Sequence, residues 1–520
     1  MNIHHSPHGD VDPPRQSLAD FVLDAGRGQA QAPALVDGVT GRVVTYGELR
    51  EHVRRTAAGL AALGVRKGDV IALWSPNSPE FAIAFHGCVR AGATVTPANP
   101  ANTAHELAHQ LEDAGAKMLI TTTALIDKAR AAIAASGRSI DLITTDDAPG
   151  LPSLTSIGSD SPLPPISIDP VTDIVALPYS SGTTGLPKGV MLTHGNVVAN
   201  LMQVEAVESA QLHALAGVLP LFHIYGLMIL HQGLRLGAAV ITLPRFDLEQ
   251  FLGVLQTWRI ELTHVVPPIA LALARHPCVD NYDLHHLRTV FCGAAPLSPG
   301  VGEALQQRLK VEVRQGYGMT EASPVTHYQD FRSTARPRSV GRPVPSTECR
   351  IVDVESARDA AVDQPGEVWI RGPQVMQGYL NNPEATARTL DSEGWLHTGD
   401  IGTVDSDGYL TIVDRLKELI KVKGFQVAPA ELEDLLLKHP RIADAAVIPV
   451  AHEECGEVPK ALVVRRGELT EAEVIEFLYS QVAHYKRLHH VEFIDAIPKS
   501  ASGKILRRVL IARERGAKAF

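Results

Sequence analysis

One segment constrains this chain more than any other: Tyr179-Ser-Ser-Gly-Thr-Thr-Gly-Leu-Pro-Lys-Gly189. It follows an apolar, strand-like run over residues 173–178. Its glycines, Gly182, Gly185 and Gly189, let a backbone approach a ligand closely and expose N–H groups. The hydroxyls of Ser180, Ser181, Thr183 and Thr184 add donors, and Lys188 adds charge. A strand running into such a loop belongs to α/β architecture and suits a polyphosphate. It is not a Walker A loop, because Lys188 follows Leu-Pro and no Ser or Thr comes after it.

The rest of the chain agrees with α/β alternation. A helix is predicted from Thr45 to Gly64, a strand over 70–73, a helix over 79–91 and a strand over 94–97. Residues 147–170, rich in Pro, Ser, Gly and Asp, read as a surface connection. From 340 to 410, short strands (349–354, 366–370 and 409–413) and turns imply a small β-rich subdomain. The pattern then changes to a helix over 430–437, strands over 445–450 and 460–464, a helix over 470–482, a strand over 491–495 and a helix from about 505. The expected organisation is a loose tail (1–16), a large N-terminal domain (17–413), a hinge (414–417) and a small mobile α+β domain (418–520).

Composition excludes several classes. Across 520 residues, 48 Lys and Arg face 58 Asp and Glu, so the net charge of -10 lacks the basic footprint of a nucleic-acid binder. The five cysteines are widely spaced without a CxxC, which argues for reduced thiols and a reducing compartment. The apolar stretch 215–243 is broken by Pro220, His223, His231, Gln232 and Arg235, a poor membrane span. With no signal-like h-region at the start, a cytoplasmic enzyme is expected.

The loop 180–189 resembles the phosphate loop of the AMP-forming adenylating enzymes: acyl-CoA synthetases, adenylation domains and beetle luciferases. Four further segments, in the family's order, carry the same likeness. Gln315-Gly-Tyr-Gly-Met-Thr-Glu321 resembles its adenine and magnesium segment, and Gly394-Trp-Leu-His-Thr-Gly-Asp400 its ribose segment. Asp414-Arg-Leu-Lys-Glu-Leu-Ile-Lys-Val-Lys-Gly-Phe-Gln426 resembles its hinge, and Pro498-Lys-Ser-Ala-Ser-Gly-Lys504 its C-terminal catalytic loop.

The resemblance implies two half-reactions. A carboxylate first attacks the α-phosphorus of ATP, and a thiol, that of CoA, then displaces AMP. The first step needs no general base, since a carboxylic acid with a pKa of about 4 is already ionised at neutral pH. It needs positioning and positive charge, because an anion meets a polyanion. By resemblance, Lys504 bridges carboxylate and α-phosphate, Thr320 touches phosphate and Glu321 ligates magnesium. Asp400 and Arg415 hold the ribose, and Tyr317 stacks on adenine. Ser180, Ser181, Gly182, Thr183, Thr184, Gly185, Lys188, Gly293, Ala294, Ala295, Gln315, Gly316 and Gly318 complete the nucleotide site.

Lys417 falls at the hinge position, while Lys421, Lys423, Gly424 and Gln426 form the face expected to serve the thiol step. Phe222-His-Ile-Tyr-Gly226 resembles the acyl-pocket wall of 4-coumarate–CoA ligases, with His223 beside the carboxylate. Tyr225, Gly226, Gly293, Gly318, Pro324 and Val325 would shape the pocket, with Gly293, Gly318 and Pro324 leaving room for a planar ring or a chain. Plant members of that group usually have glycine where this chain has Ser323, followed by an apolar stretch where this one continues Thr326-His327. The acid is therefore open between hydroxycinnamate-like and medium- or long-chain fatty acids. Other readings of the whole are a loader of carrier-protein pantetheine, a luciferase-like oxidase and a non-catalytic nucleotide sensor. Intact Lys504, Glu321 and Asp400 speak against the sensor.

Overall fold

The computed structural model describes residues 2–24, 29–180, 187–208, 212–422, 425–452, 455–479, 481–500 and 503–516. The chain is α/β, and its first sheet is built around parallel strands. Ile174–Ala176, Thr94–Pro97, Val70–Trp74, Met118–Thr121 and Asp141–Thr144 lie side by side, and Lys188–Thr193 joins antiparallel at one end. The helices Tyr46–Ala62 and Pro79–Arg90 begin at the expected places because each has a cap. Thr45 and Glu48 form a capping box, and Ser78 accepts from the N–H of Phe81 ahead of Pro79.

A second sheet sets Leu262–Val265, Thr289–Cys292 and Glu312–Gly318 parallel, then adds Val325–Tyr328 and Arg342–Pro343 antiparallel. The carboxyl ends of its parallel strands run into Val266, Gly293 and Met319-Thr320-Glu321. In open α/β sheets ligands bind at such ends. A third sheet joins Ala214–Gly217, Ala239–Thr242, Pro33–Asp37 and Val43–Thr45. These three sheets and the β-rich subdomain share one apolar core.

That subdomain is an antiparallel sheet of Glu348–Val352, Gly366–Arg371, Leu396–Val404 and Leu410–Arg415. The N-terminal residues are not loose. His4–His5 pairs with Glu348 and Cys349, the N–H of Asn2 donates to Asp359 (2.6 Å), and that of Val11 to Ser346 (2.9 Å). The reason is the sheet's otherwise open edge, which offers backbone groups to any extended segment nearby.

The C-terminal residues form a sheet of Phe425–Val427, Ile420–Val422, Gly456–Arg465 and Ile442–His452, with His490–Phe493 parallel to Gly456–Arg465. Successive side chains of a strand point to opposite faces. Accordingly Ala445 and Val447 enter a core with Leu432, Leu436 and Val463, whereas Ala446 and Ile448 enter another with Leu462 and Leu510. Both long strands outrun the apolar runs seen in sequence, because pairing continues to His452 and Gly456. Among the described residues no helix is long and apolar enough to cross a membrane, and all five cysteines are free thiols.

Candidate active site

Four elements converge. Glu321 lies just past the strand Glu312–Gly318, on a short 3-10 turn, and is 6% exposed. Two hydroxyls fix its Oε1: Ser180 donates at 3.0 Å and Tyr379 at 2.8 Å. Tyr379 also lies under the Lys188 ammonium, 4.7 Å from its ring centre. Thus Ser180, before the loop, meets the Glu321 carboxylate directly, and Lys188, after it, lies over the ring of the tyrosine that does. Ser181, Gly182, Thr183, Thr184 and Gly185 themselves lie outside the described residues, as do Lys423 and Gly424.

Asp400 and Arg415 are partners across neighbouring antiparallel strands, which explains their ion pair (Arg415 Nε to Asp400 Oδ1, 3.2 Å). The other oxygen, Oδ2, accepts from the Tyr317 hydroxyl at 2.5 Å. Beyond the ring face expected of it, Tyr317 thus supplies a hydroxyl that anchors Asp400. Burial raises the Asp400 carboxyl, against the pull of Arg415, Tyr317 and Lys504. Burial works against the Arg415 charge, but Asp400 and Glu418 outweigh it and hold the guanidinium more firmly protonated.

Lys504 comes from the C-terminal domain. Its loop is a tight turn in which Gly503 N–H donates to Ser500 O (2.8 Å) and Ser500 N–H to Lys504 O (2.8 Å). Gly503 holds a left-handed φ of +80, and a Cβ there would stand 2.7 Å from Pro268 Cδ in the N-terminal domain. The loop therefore sits directly on the large domain. Lys504 is half-buried and within electrostatic reach of Arg415, Asp400, Glu321 and His223. Burial, then Arg415, lower its pKa from the ordinary lysine value, while Asp400 and Glu321 oppose them.

His223 caps the helix Ile224–Leu236, its Nδ1 accepting from the Tyr225 N–H at 3.2 Å. Burial and the nearby Lys504 charge push its pKa down to about 4, so it is a neutral imidazole at neutral pH. Gly226 and Gly318 also answer to close backbone packing. A Cβ on Gly226 would strike Pro220 O at 2.1 Å and one on Gly318 would strike Pro324 O at 2.2 Å, so both serve close backbone packing. Gly293 does border the wall, its absent Cβ facing the Tyr225 ring at 3.2 Å. Ala294 beside it takes a left-handed φ of 69, Ala295 follows, and Pro324 and Val325 begin the returning strand.

Gln315 spends its amide on scaffolding. It donates to Pro337 O (2.8 Å) and accepts from Leu297 N–H (3.3 Å), so it shapes loops around the site. Gly316 packs on Phe291, and Thr320 starts the turn that carries Glu321. Lys421 is exposed on Ile420–Val422, opposite the backbone of Gln426, and Lys417 is exposed too. Among the described residues no hydrogen bond or ion pair joins the Lys421 side chain to the site. The structure thus brings Lys504 in and leaves Lys421 out. It also adds Tyr379, which no spacing in the sequence announces.

The donor set fits a magnesium ion. Glu321 is a buried, oriented carboxylate of the hard-oxygen type such an ion prefers. Among the described residues no group of three or more His, Cys, Asp or Glu could hold a metal, and a magnesium ion usually takes one or two carboxylates, with waters and substrate phosphates as its other ligands.

The chain matches the AMP-binding enzyme family over residues 23–380 and that family's C-terminal domain over 431–504. It is 45% identical to 4-coumarate–CoA ligase 2 of Oryza sativa subsp. japonica, across 99% of this chain and 95% of the rice protein. It is 46% identical to 4-coumarate:CoA ligase 1 of Petunia hybrida, across 92% and 91%. Its fold is similar to ATP-bound MatB from Rhodopseudomonas palustris (TM-score 0.88, 29% identity, 96% of this chain and 99% of that one). It is likewise similar to the anthranilate CoA ligase AuaEII with anthranoyl-AMP (0.87, 25%, 96% and 98%).

Proposed function

The chain belongs to the AMP-binding enzyme family, and on that premise we propose that it activates an aromatic, hydroxycinnamate-like acid. It is an AMP-forming acid–thiol ligase that joins a carboxylic acid to CoA at the expense of ATP. The observation that carries the reading is Lys504, brought by the C-terminal domain to Asp400, Glu321 and His223. This is the arrangement needed where a carboxylate must attack a polyphosphate: an ammonium between two anions, a neutral imidazole alongside and the turn that carries Thr320 and Glu321. Asp400 accepts the ribose hydroxyls and Arg415 keeps it ionised. Glu321 holds magnesium, which neutralises the phosphates when bound. Ser180 and Lys188, at the ends of the phosphate loop, orient the leaving pyrophosphate.

The thiol step requires the other lysine face. With Lys421 exposed while Lys504 is seated, the two lysines serve in turn through rotation at Lys417. CoA is the acceptor favoured by the relatives, whose names specify CoA ligation. The test is pyrophosphate release with ATP, magnesium and an acid panel, with and without CoA. CoA-dependent turnover of hydroxycinnamates and weak turnover of fatty acids is expected. Turnover confined to fatty acids refutes the aromatic assignment, and adenylation indifferent to CoA refutes the acceptor.

A further inference from the structure

The turn that carries Lys504 is fastened at both ends by groups that the chemistry above does not use. Before the turn, the Lys499 ammonium pairs with Asp444, on the strand Ile442–His452, at 2.6 Å. The backbone closes the stem, where the Leu506 N–H donates to Pro498 O at 2.9 Å. After the turn stands Arg507, the first residue of the helix Arg507–Glu514 and 8% exposed. Its guanidinium draws three elements together. Nε donates to Glu418 Oε2 at 2.8 Å, Nη1 to Val447 O at 2.7 Å, and Nη1 and Nη2 reach the two oxygens of Glu433. Glu433 also accepts from the Val447 N–H at 2.7 Å.

Two of these three partners belong to the body of the C-terminal domain: Glu433 lies on the helix Pro429–Leu436 and Val447 on the strand Ile442–His452. They neutralise and satisfy Arg507 as a buried structural cation. Glu418 is different. It directly follows Lys417, at the proposed hinge, and its own N–H donates to Arg415 O at 2.9 Å. Arg415 in turn is tied to Asp400. A continuous series of short links therefore runs from Asp400 through Arg415, Glu418 and Arg507 to the turn of Lys504. A guanidinium presents its donors in a rigid planar fork, so it fixes orientation as well as distance. Misplacing a reacting group by about 1 Å can cost about 10²-fold in rate, so such a link acts on the reaction and not on stability alone.

We propose that Arg507 and Glu418 are positioning residues, a brace that ties the turn of Lys504 to the hinge segment and so aims its ammonium at the nucleotide during adenylation. The proposal rests on the ligase reading and deepens it. Both residues act through Lys504, so their loss falls on the step that uses Lys504 and spares the step that does not.

The test measures both half-reactions with the full-length enzyme: pyrophosphate release from ATP, magnesium and acid, and thioester formation from supplied acyl-adenylate and CoA. Glu418 is half-buried at the edge of the network, so Glu418→Ala opens the brace while Glu433 still neutralises Arg507. It should lower kcat for adenylation about tenfold, with KM for ATP within about twofold and thioester formation within about threefold. Glu418→Gln keeps an acceptor for Arg507 Nε and should restore most of that loss. Arg507→Lys keeps the charge without the fork and should lose a similar factor. Adding Glu418→Ala to it should cost little more, because residues that act as one unit are not additive. Should the lysine variant fail to fold, the two Glu418 variants decide. Adenylation by Glu418→Ala within about twofold of wild type overturns the proposal and leaves the ligase reading standing. Equal losses in both half-reactions, or a loss carried by KM for ATP alone, also overturn it. If the wild type releases no pyrophosphate with acids of any class, the ligase reading fails and the proposal falls with it.

Discussion

Replacing Lys504 by alanine separates the two half-reactions. The ammonium is within electrostatic reach of Asp400, Glu321 and His223, with Arg415 its strongest opposing charge. Among the described residues no carboxylate pairs with the ammonium at ion-pair distance, and opposite charges roughly 5–6 Å apart attract by about 3 kcal/mol at the effective dielectric of about 20 suited to protein sites. Arg415 remains in the variant and shields part of that loss. About 3 kcal/mol then corresponds to roughly a 10²–10³-fold fall in adenylation, the scale seen when one preorganised charge-stabilising donor is removed. The assay is pyrophosphate release from acid and ATP, set beside thioester formation from chemically supplied acyl-adenylate. The first should fall by that factor, and the second should stay within about threefold. The pH profile gives an independent reading. Burial and Arg415 hold the Lys504 pKa below its ordinary 10.5, so its charge is complete below that lowered value and is lost as pH rises through it. Adenylation should decline on that alkaline limb. Pyrophosphate release left within about threefold of wild type, or equal losses in both half-reactions, would refute the reasoning.

Other residues give sharper local tests. Lys421→Ala should impair thioester formation from supplied adenylate and spare pyrophosphate release, and the opposite pattern would reject rotation between the two faces. Asp400→Asn leaves one acceptor oxygen where two serve Tyr317 and Arg415, and removes the charge that pairs with Arg415, which is itself more than a third exposed; the KM for ATP should rise about tenfold, measured at saturating acid. His223 has a folded pKa of about 4 against an ordinary 6.5, so the stability of its neutral form is complete above 6.5 and is lost as pH falls through about 4. The acid limb of pyrophosphate release due to His223 should thus lie near pH 4, and a limb near 6.5 that disappears in His223→Gln would contradict this. Gly503→Ala meets Pro268 and an unfavourable φ, costing roughly 1–2 kcal/mol in seating the loop. Adenylation should slow about tenfold with thermal stability unchanged, and unaltered adenylation would show that the loop works elsewhere.

Residues whose roles are local are legible in the sequence itself. Thr45, Ser78 and His223 cap helices through groups two or three positions away, so element starts fall where expected. Asp400 and Arg415 each stand out as candidate ribose ligands, yet nothing in their spacing joins them. Their ion pair depends on register between strands separated by a turn. A packing demand on Gly226 and Gly318 is hidden for a similar reason. Sequence shows that a side chain is missing but not which atom would have struck it, and in both cases that atom is a backbone oxygen nearby in the chain. Tyr379 and Tyr328 reach their carboxylates across 58 and 120 positions, beyond anything periodicity can report. The tail's pairing with Glu348 and Cys349 depends on a sheet edge that only the assembled subdomain creates.

The position of Arg415 bears on how such an enzyme can alternate between two chemistries. Arg415 ends the last strand of the large domain, where its side chain is tied to Asp400. Its neighbour Asp414 points the other way in its bonding: Oδ2 accepts from the N–H of Ala430, at the start of the helix Pro429–Leu436 in the C-terminal domain. Adjacent residues therefore grip one domain each, directly before the proposed hinge at Lys417. Burial raises the Asp414 carboxyl to about 6, so its charge is sustained at neutral pH by bonds that include this inter-domain one. On the proposed ribose role of Asp400, a bound nucleotide would act on its ion pair with Arg415, one peptide unit from the bond between Asp414 and Ala430. Replacing ATP and acid by adenylate changes the charge beside Asp400 and Lys504 together. On the two-face cycle proposed above, the same event would alter the hold on the hinge strand and the attraction that seats Lys504, and so would couple completion of the first half-reaction to release of the domain for the second.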